Sequence, residues 1–160
     1  MSAHAARSIF TIGHSNHPLQ RFLELLLGHG VQVLADVRSR PYSRFAPQFN
    51  KKRIEESVAG CGIEYWFLGN VLGGKPKDPR FYDDDGRVVH ARIARTPEFL
   101  EGITLLERRL DEAEVAIMCA EENPLKCHRN LMITPVLLRR GIRVRHIRGD
   151  GTPQEGARGG

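Results

Sequence analysis

The sequence predicts an α/β fold, a three-layer α/β/α sandwich built around a mostly parallel sheet of about five strands. Short apolar runs typical of buried strands alternate with longer segments whose apolar residues recur at helical spacing, an order typical of a parallel sheet covered by helices. The chain has 160 residues, of which 41% are hydrophobic and 27% charged, so it is long enough for one domain with a sizeable core. We therefore expect a single α/β domain over residues 1–149 and a disordered tail over residues 150–160.

The first half of the chain contains three predicted strands and two predicted helices. Strands are expected at residues 8–12, 31–37 and 63–68, where apolar residues form short runs. The first helix begins near Pro18, a residue that a first helical turn tolerates, and ends at two nearby glycines. The second helix runs from its cap, Asn50, to about Ala59.

The second half begins with a long polar segment and then returns to helices and strands. Residues 69–95 are rich in glycine, proline and charge, and a loop of this length in a small domain is often a lid or a binding loop. A helix is expected from the cap Thr96 to about Asp111. The remaining predicted elements are a strand at 115–119, a helix from near Lys126 to Arg140 with a kink at Pro135, and a strand at 143–147.

Polar and reactive side chains follow the predicted strands directly. Ligands of parallel sheets bind outside the carboxyl ends of the strands, so we expect these side chains to share one site. The ligand-binding candidates are His14, Ser15, Asn16, Arg38, Arg40, Arg44, Gly73, Gly74, Lys75, Cys119, Arg129 and His146. The catalytic candidates are Asp36, Glu121, Cys127 and His128. Guanidinium groups, a lysine and glycine-rich backbone bind phosphate, so the expected ligand is a nucleotide, a nucleic acid or another phosphorylated molecule.

Residues 118–129 form the densest cluster of reactive groups in the chain. Cys127 is expected near a helix start, where the helix dipole and a cationic neighbour lower the pKa of a thiol. It is therefore a candidate nucleophile, with Arg129 as a candidate oxyanion clamp, although it could also pack as a small apolar side chain. No arginine stands six residues after Cys119 or Cys127, so the Cys-x5-Arg loop of cysteine phosphatases is disfavoured.

Other chemistry at these positions stays open. Glu121 and Asp36 could act as general acid and base, or could orient arginines through bidentate pairs. Thiolate and imidazole suit zinc, and the available ligands are Cys119, Cys127, His128, His14 and His146. The chain has no Cys-x2-Cys pair, so no cofactor is predicted. The alternatives to an enzyme are a non-catalytic nucleic-acid-binding module and a metal- or redox-sensing protein that uses Cys119 and Cys127.

Charge and cysteine content bear on partners and compartment. The net charge of +5 and the arginines and lysines within 38–53 and 139–148 could neutralise phosphates or could simply be solvated. Aromatic residues near the first of these clusters could stack on bases or belong to the core; they are Tyr42, Phe45, Phe49, Tyr65 and Trp66.

No apolar run suits a membrane span, and the first residues do not resemble a signal peptide. With three cysteines, a cytoplasmic protein is expected, its thiols free, catalytic or metal-bound rather than bridged.

Several short motifs occur in an order that resembles one protein family. They are Thr11-Ile12-Gly13-His14-Ser15, Asp36-Val37-Arg38-Ser39 with Pro41 and Ser43-Arg44, Pro47 with Phe49-Asn50, Ile63-Glu64-Tyr65 with Leu72-Gly73-Gly74, Cys119-Ala120-Glu121, Cys127-His128-Arg129, and His146-Ile147. Spread over residues 9–148, they resemble the DUF488 family, small prokaryotic proteins named for an unknown function. The resemblance implies no particular reaction. Some members are described as DNA-repair proteins, which is a weak hint of nucleic-acid binding.

Overall fold

The computed structural model describes residues 7–156, apart from the side chains of residues 129 and 130. Its sheet contains β1 (Ser8–Gly13), β2 (Val33–Asp36), β3 (Glu64–Phe67), β4 (Val115–Cys119), β5 (Arg143–Ile147) and β6 (Pro153–Glu155). The strand order is β3-β2-β4-β1-β5-β6. All pairings among β1 to β5 are parallel, and β6 pairs with β5 in the antiparallel direction. The predicted α/β class with a mostly parallel sheet is therefore confirmed.

Six α-helices occur within the described residues. They are α1 (Leu19–Gly28), α2 (Lys51–Ala59), α3 (Gly69–Leu72), α4 (His90–Ile93), α5 (Pro97–Leu110) and α6 (Thr134–Arg139). Thr96 caps α5 as expected, because its Oγ1 accepts a hydrogen bond from the backbone N–H of Phe99 at 3.2 Å. α3 and α4 lie inside the predicted long loop and give it local structure. No helix in the described part of the chain is both long enough and apolar enough to span a membrane.

The sheet buries apolar side chains on both of its faces, as the strand β4 shows. Val115 and Ile117 belong to one apolar cluster, to which α5 and α6 also contribute. Ala116 and Met118 belong to a second cluster, together with residues of α1 and α2. Successive strand residues point to opposite faces, so a strand that is buried on both faces must be apolar throughout. This is why β4 could be predicted from a continuous apolar run.

The predicted helix from Lys126 to Arg140 is wrong in its first half. Instead of one helix, the chain forms a 3₁₀ turn (Pro124–Lys126), a π-helix (Arg129–Ile133) and then α6. Cys127 lies between the turn and the helical residues, with an extended backbone at φ −118° and ψ 142°. Pro135 explains the break, because proline has no N–H to donate to the preceding turn and its ring crowds that turn's carbonyl. The expected kink is thus a π-helical segment.

The predicted disordered tail is wrong for residues 153–155, which form β6. This strand pairs with β5, and just beyond it the backbone N–H of Gly156 donates to the carbonyl oxygen of Val144 at 2.7 Å. An ion pair between Arg143 and Glu155 ties the same two strands. The segment has no apolar run, so its strand is made by pairing and not by burial. Residues 157–160 lie outside the described part of the chain.

Candidate functional site

The carboxyl ends of β2, β4 and β1 lie side by side, because these strands are neighbours in the sheet. The chain that follows β4 passes very close to the end of β1. A Cβ atom at Gly13 would overlap the backbone carbonyl group of Glu121, and the backbone N–H of His14 donates to the carbonyl oxygen of Cys119 at 2.9 Å. A glycine is therefore required at position 13 to bring the segments after β1 and β4 together.

Asp36, at the end of β2, holds the side chain of Arg38. The carboxylate is fully buried and accepts hydrogen bonds from Nε and Nη2 of Arg38 at 2.9 and 2.8 Å. It also accepts from the backbone N–H of Arg38 at 3.1 Å and from the hydroxyl of Tyr65 at 2.6 Å. Burial and the negative charge of Asp36 raise the pKa of Tyr65, so this hydroxyl stays a donor. Asp36, a candidate acid or base, is thus placed to orient Arg38.

His14 contacts the other end of the same guanidinium group. Its Nε2 lies 3.2 Å from Nη1 of Arg38, and its Nδ1 lies 2.7 Å from the carbonyl oxygen of Ser15. The ring stacks on Phe49, with 4.7 Å between the ring centroids. Burial lowers the pKa of His14 to about 4, so the imidazole is neutral near pH 7. The contacts then assign Nδ1–H as the donor to Ser15 and Nε2 as the acceptor from Arg38.

A cleft of about 720 Å³ opens beside Arg38, and we call it the central cleft. Predicted site residues that line it are Arg38, Arg40, Gly74, Lys75, Cys119, Glu121, Cys127 and His128. They come from three stretches of the chain, which follow β2, β3 and β4. The rule that ligands bind at the carboxyl ends of parallel strands predicted that these residues lie near one another, and they line the same cleft.

Other predicted site residues do not line this cleft. His14 and Asp36 are buried next to Arg38, and His146 is buried within β5, where its Nδ1 contacts the hydroxyl of Thr11. Three candidates are exposed on loops outside the cleft wall, namely Ser15, Asn16 and Arg44. Gly73 lines a neighbouring cleft, and the side chain of Arg129 lies outside the described residues.

Several cleft residues were missing from the prediction, among them the basic residues Lys126 and His90. Lys126 is exposed at the end of the 3₁₀ turn, and His90 begins α4 in the long polar segment. Lys126 lies within residues 118–129, the segment that the sequence already indicated as reactive, so it could have been predicted as a site residue. His90 had no such signal, because only the folding of residues 69–95 brings it to the cleft. Burial lowers the pKa of His90.

The thiols of Cys119 and Cys127 meet in the wall of the cleft. Their Sγ atoms lie in bonding contact, which corrects the expectation that the thiols are unbridged, whereas Cys61 is a free thiol. Cys119 ends β4, and the loop that follows folds back and brings Cys127 beside it. The zinc ligands considered above do not assemble, because residues 7–156 contain no group of three or more His, Cys, Asp or Glu arranged to hold a metal ion.

His128 joins the loop after β4 to the end of β2. Its Nε2 lies 3.2 Å from the carbonyl oxygen of Val37, and its Nδ1 lies 3.8 Å from Sγ of Cys127. A carbonyl oxygen accepts only, so Nε2 carries the proton and donates it. Nδ1 is then the basic nitrogen, and it faces the sulfur. This arrangement can take a proton from a reduced Cys127 thiol.

A second cleft, of about 560 Å³, adjoins the central cleft. Ser39, Arg40 and Lys75 line both clefts and so form a ridge between them. The hydroxyl of Ser39 accepts a hydrogen bond from the backbone N–H of Lys75 at 2.9 Å. A Cβ atom at Gly73 would overlap the Ser39 side chain, so the glycine permits this close approach.

The fold and the site together define a small α/β protein with a predominantly basic cleft at the carboxyl edge of its sheet. Residues 18–134 match the family model described as "Domain of unknown function DUF488". Since the match covers most of the chain, the protein belongs to the DUF488 family, in agreement with the motif resemblance. The motifs at 11–15 and 146–147 lie outside the matched residues. Comparison with curated proteins and with solved structures gave no match.

Proposed function

We propose that the protein binds a phosphate-bearing ligand in the central cleft, either a nucleotide, a nucleic acid or another phosphorylated molecule. The observation that carries this proposal is the charge of the cleft wall. Its cationic side chains are Arg38, Arg40, Lys75 and Lys126, and its only carboxylate among the described lining residues is Glu121. A cleft lined mostly by one sign of charge focuses the field and attracts ions of the opposite sign.

Arg38 supplies donors that are already oriented. Bonds to Asp36 and His14 use one N–H each on Nε, Nη1 and Nη2. A guanidinium has five N–H groups, so one remains on Nη1 and one on Nη2. These two donors match two oxygens of a phosphate, and the fixed side chain has little conformational freedom left to lose when a ligand binds.

The remaining cations supply net charge. Arg40, Lys75 and Lys126 are exposed and form no ion pair with any residue that the structure describes. The other basic cluster, within residues 139–148, differs in this respect. There, acidic side chains pair with the arginines, as in Arg140–Glu107, Arg143–Glu155 and Arg148–Glu122. Its charge is largely compensated, so the central cleft is the stronger candidate for an anion.

Isothermal titration calorimetry with pyrophosphate and with ATP tests the proposal. Wild-type protein is expected to bind both, more weakly as salt increases, and the charge-reversing variants Arg40→Glu and Lys75→Glu are expected to lose most of this affinity. Arg108→Glu is the matched control, because Arg108 is an exposed arginine in the last turn of α5. Equal losses in all three variants, or no binding by wild-type protein at low salt, would overturn the proposal.

The contact between Cys119 and Cys127 favours a second candidate, a redox-responsive protein. Starting from the reduced protein, oxidation joins the two sulfurs, which lose two protons and two electrons to an added disulfide such as oxidised glutathione. Alkylation followed by mass spectrometry is expected to label all three cysteines of the reduced protein but only Cys61 after this treatment. Full labelling of Cys119 and Cys127 after treatment would reject this candidate.

A further inference from the structure

We propose that the phosphate-bearing ligand is a single-stranded nucleic acid, whose bases stack on Tyr42, which lines the central cleft, and on Phe45 in the same loop. This inference rests on the proposed function and names its substrate class. Tyr42 is 68% exposed and Phe45 is 86% exposed, the two highest values among the large hydrophobic side chains of the described residues. Aromatic side chains this exposed do not contribute to the core, and two of them in one short loop offer apolar surface to a partner.

The exposure of both rings is built into the loop. The backbone N–H of Ser43 donates to Oδ1 of Asn50 at 2.7 Å, and Oγ of Ser43 accepts from the backbone N–H of Phe45 at 3.1 Å. Asn50 was predicted to cap α2, yet its side chain makes no cap bond and ties this loop instead. Pro41 and Ala46 are buried and anchor the two ends of the loop. The rings are therefore held outward by an ordered backbone.

Basic residues alternate with these rings. Arg40 precedes Tyr42, and Arg44 stands between Tyr42 and Phe45, with both arginines exposed. No acidic residue occurs from position 37 to position 54. In proteins that bind single strands, cations follow the backbone while aromatic rings stack on successive bases. The loop carries both kinds of group, cationic and aromatic, within six consecutive residues.

The two adjoining clefts provide room for more than one nucleotide. Their volumes are about 720 and about 560 Å³, each within the range of a site for one small molecule. Arg40 and Lys75 stand on the ridge that both clefts share, so one extended polyanion can contact them while it enters both sides. Lys77 lines the second cleft and continues the basic track, whereas Arg80, which also lines it, is paired with Asp78.

Stacking on these rings requires an unpaired base. In a duplex the base faces are covered by their neighbours, so Tyr42 and Phe45 could contact only the backbone or the terminal pairs. The inference therefore predicts a preference for single strands over duplexes of equal length. It predicts no strong sequence preference, because every base has a face on which an aromatic ring can stack.

Fluorescence anisotropy with labelled oligothymidylate and oligouridylate of about 10 nucleotides, and with a duplex of equal length, tests this. Wild-type protein is expected to bind at least one single strand about tenfold more tightly than the duplex. Tyr42→Leu and Phe45→Leu are each expected to weaken that binding about tenfold or more. Phe45 lines neither cleft, so Phe45→Leu is expected to leave pyrophosphate binding unchanged. The two single strands distinguish DNA from RNA as the source of the ligand.

The control Leu27→Ala removes an exposed apolar side chain from α1 and is expected to bind like wild-type protein. If the two ring variants bind the oligonucleotides normally, or the duplex binds as tightly as both single strands, the stacking inference is overturned while pyrophosphate binding still supports the proposed function. If wild-type protein binds neither pyrophosphate nor any oligonucleotide, both are overturned. Binding of pyrophosphate without oligonucleotides overturns only the inference.

Discussion

His128 packs closely against Gly74: a Cβ atom at position 74 would lie 2.7 Å from Cγ of the imidazole. This contact joins the loop after β4 to the long segment 69–95. The same ring reaches Val37 after β2, so one side chain links three segments of the cleft wall. The position of Cys127, which precedes His128, therefore depends on packing between parts of the chain that are far apart in sequence.

We predict that His128 controls the reactivity of reduced Cys127. Since Nδ1 lies 3.8 Å from the sulfur, loss of the imidazole removes the group that takes the thiol proton. In His128→Gln, alkylation of reduced Cys127 by iodoacetamide near pH 7 is expected to slow by about tenfold. Cys61 is an internal control, and its labelling rate should not change. Equal labelling of Cys127 in both proteins would exclude this role for His128.

The pair Asp36–Arg38 has an exposed counterpart in Asp78–Arg80. Both pairs have the same Asp-x-Arg spacing and the same hydrogen bonds from backbone N–H, Nε and Nη2 to the carboxylate. They differ in burial, since Asp36 and Arg38 are buried whereas Arg80 is exposed. The chain thus contains its own control for the effect of burial on an ion pair.

We predict that Arg38→Ala lowers the free energy of unfolding by about 3–5 kcal/mol, because it leaves a buried carboxylate without its cation. Arg80→Ala is expected to change stability little, because solvent screens the exposed pair. Urea denaturation of both variants measures the difference. Similar losses in the two variants would contradict the assignment of Asp36 as a carboxylate that depends on Arg38.

The stability of the protein should fall in mild acid because of His14. Its pKa is about 4 in the folded protein and 6.5 in the unfolded chain, so between these values the unfolded chain binds more protons. The contribution of neutral His14 is present above pH 6.5 and is lost as the pH falls towards about 4, by at most about 3 kcal/mol. Urea denaturation from pH 7 to pH 4 measures this loss.

His14→Gln is expected to flatten that pH dependence, because glutamine does not titrate and can still accept a hydrogen bond from Arg38. His29→Gln, the same change in a half-buried histidine after α1, should keep it. Subtracting the His14→Gln curve from the wild-type curve removes the effect of the carboxyl groups, which both proteins share. If the difference in the free energy of unfolding is constant between pH 6.5 and pH 4, His14 is not a buried neutral histidine.

We predict that Gly13→Ala strongly destabilises the protein, because the new methyl group would overlap the backbone of Glu121. Backbone atoms at this crossing cannot move aside as a flexible side chain could. Gly28→Ala is the control: nothing lies within 4 Å of a Cβ atom at that position, and alanine in a helix is favoured over glycine by about 1 kcal/mol. Thermal unfolding should show a lower Tm for the first variant and an unchanged or higher Tm for the second.

The sequence predicted elements best where burial alone determines them. β4 was predicted at its observed residues because both of its faces are covered by apolar side chains. Eight of the predicted site residues line one cleft, because parallel strands end at one edge of the sheet. The depth of each side chain could not be predicted in the same way: His14 is buried by Phe49, and Asp36 is covered by Tyr65, which come from distant parts of the chain.

Two further errors have physical causes. The break before α6 follows from Pro135, but helical spacing of apolar residues continues through a π-helix and conceals it. The strong exposure of Tyr42 and Phe45 was equally hidden, since aromatic residues beside basic ones occur in cores and on surfaces alike. Only the anchoring of the loop by Ser43 and Asn50 shows which case applies.

β6 has a consequence for how copies of this chain meet one another. An uncovered strand edge offers unpaired N–H and C=O groups to any other chain, and proteins avoid aggregation by keeping such edges short or by placing proline in them. β6 covers β5, is only three residues long and begins with Pro153. Ending the chain at residue 149 would uncover the longer β5, so the shortened protein should self-associate more strongly than the full chain in concentrated solution.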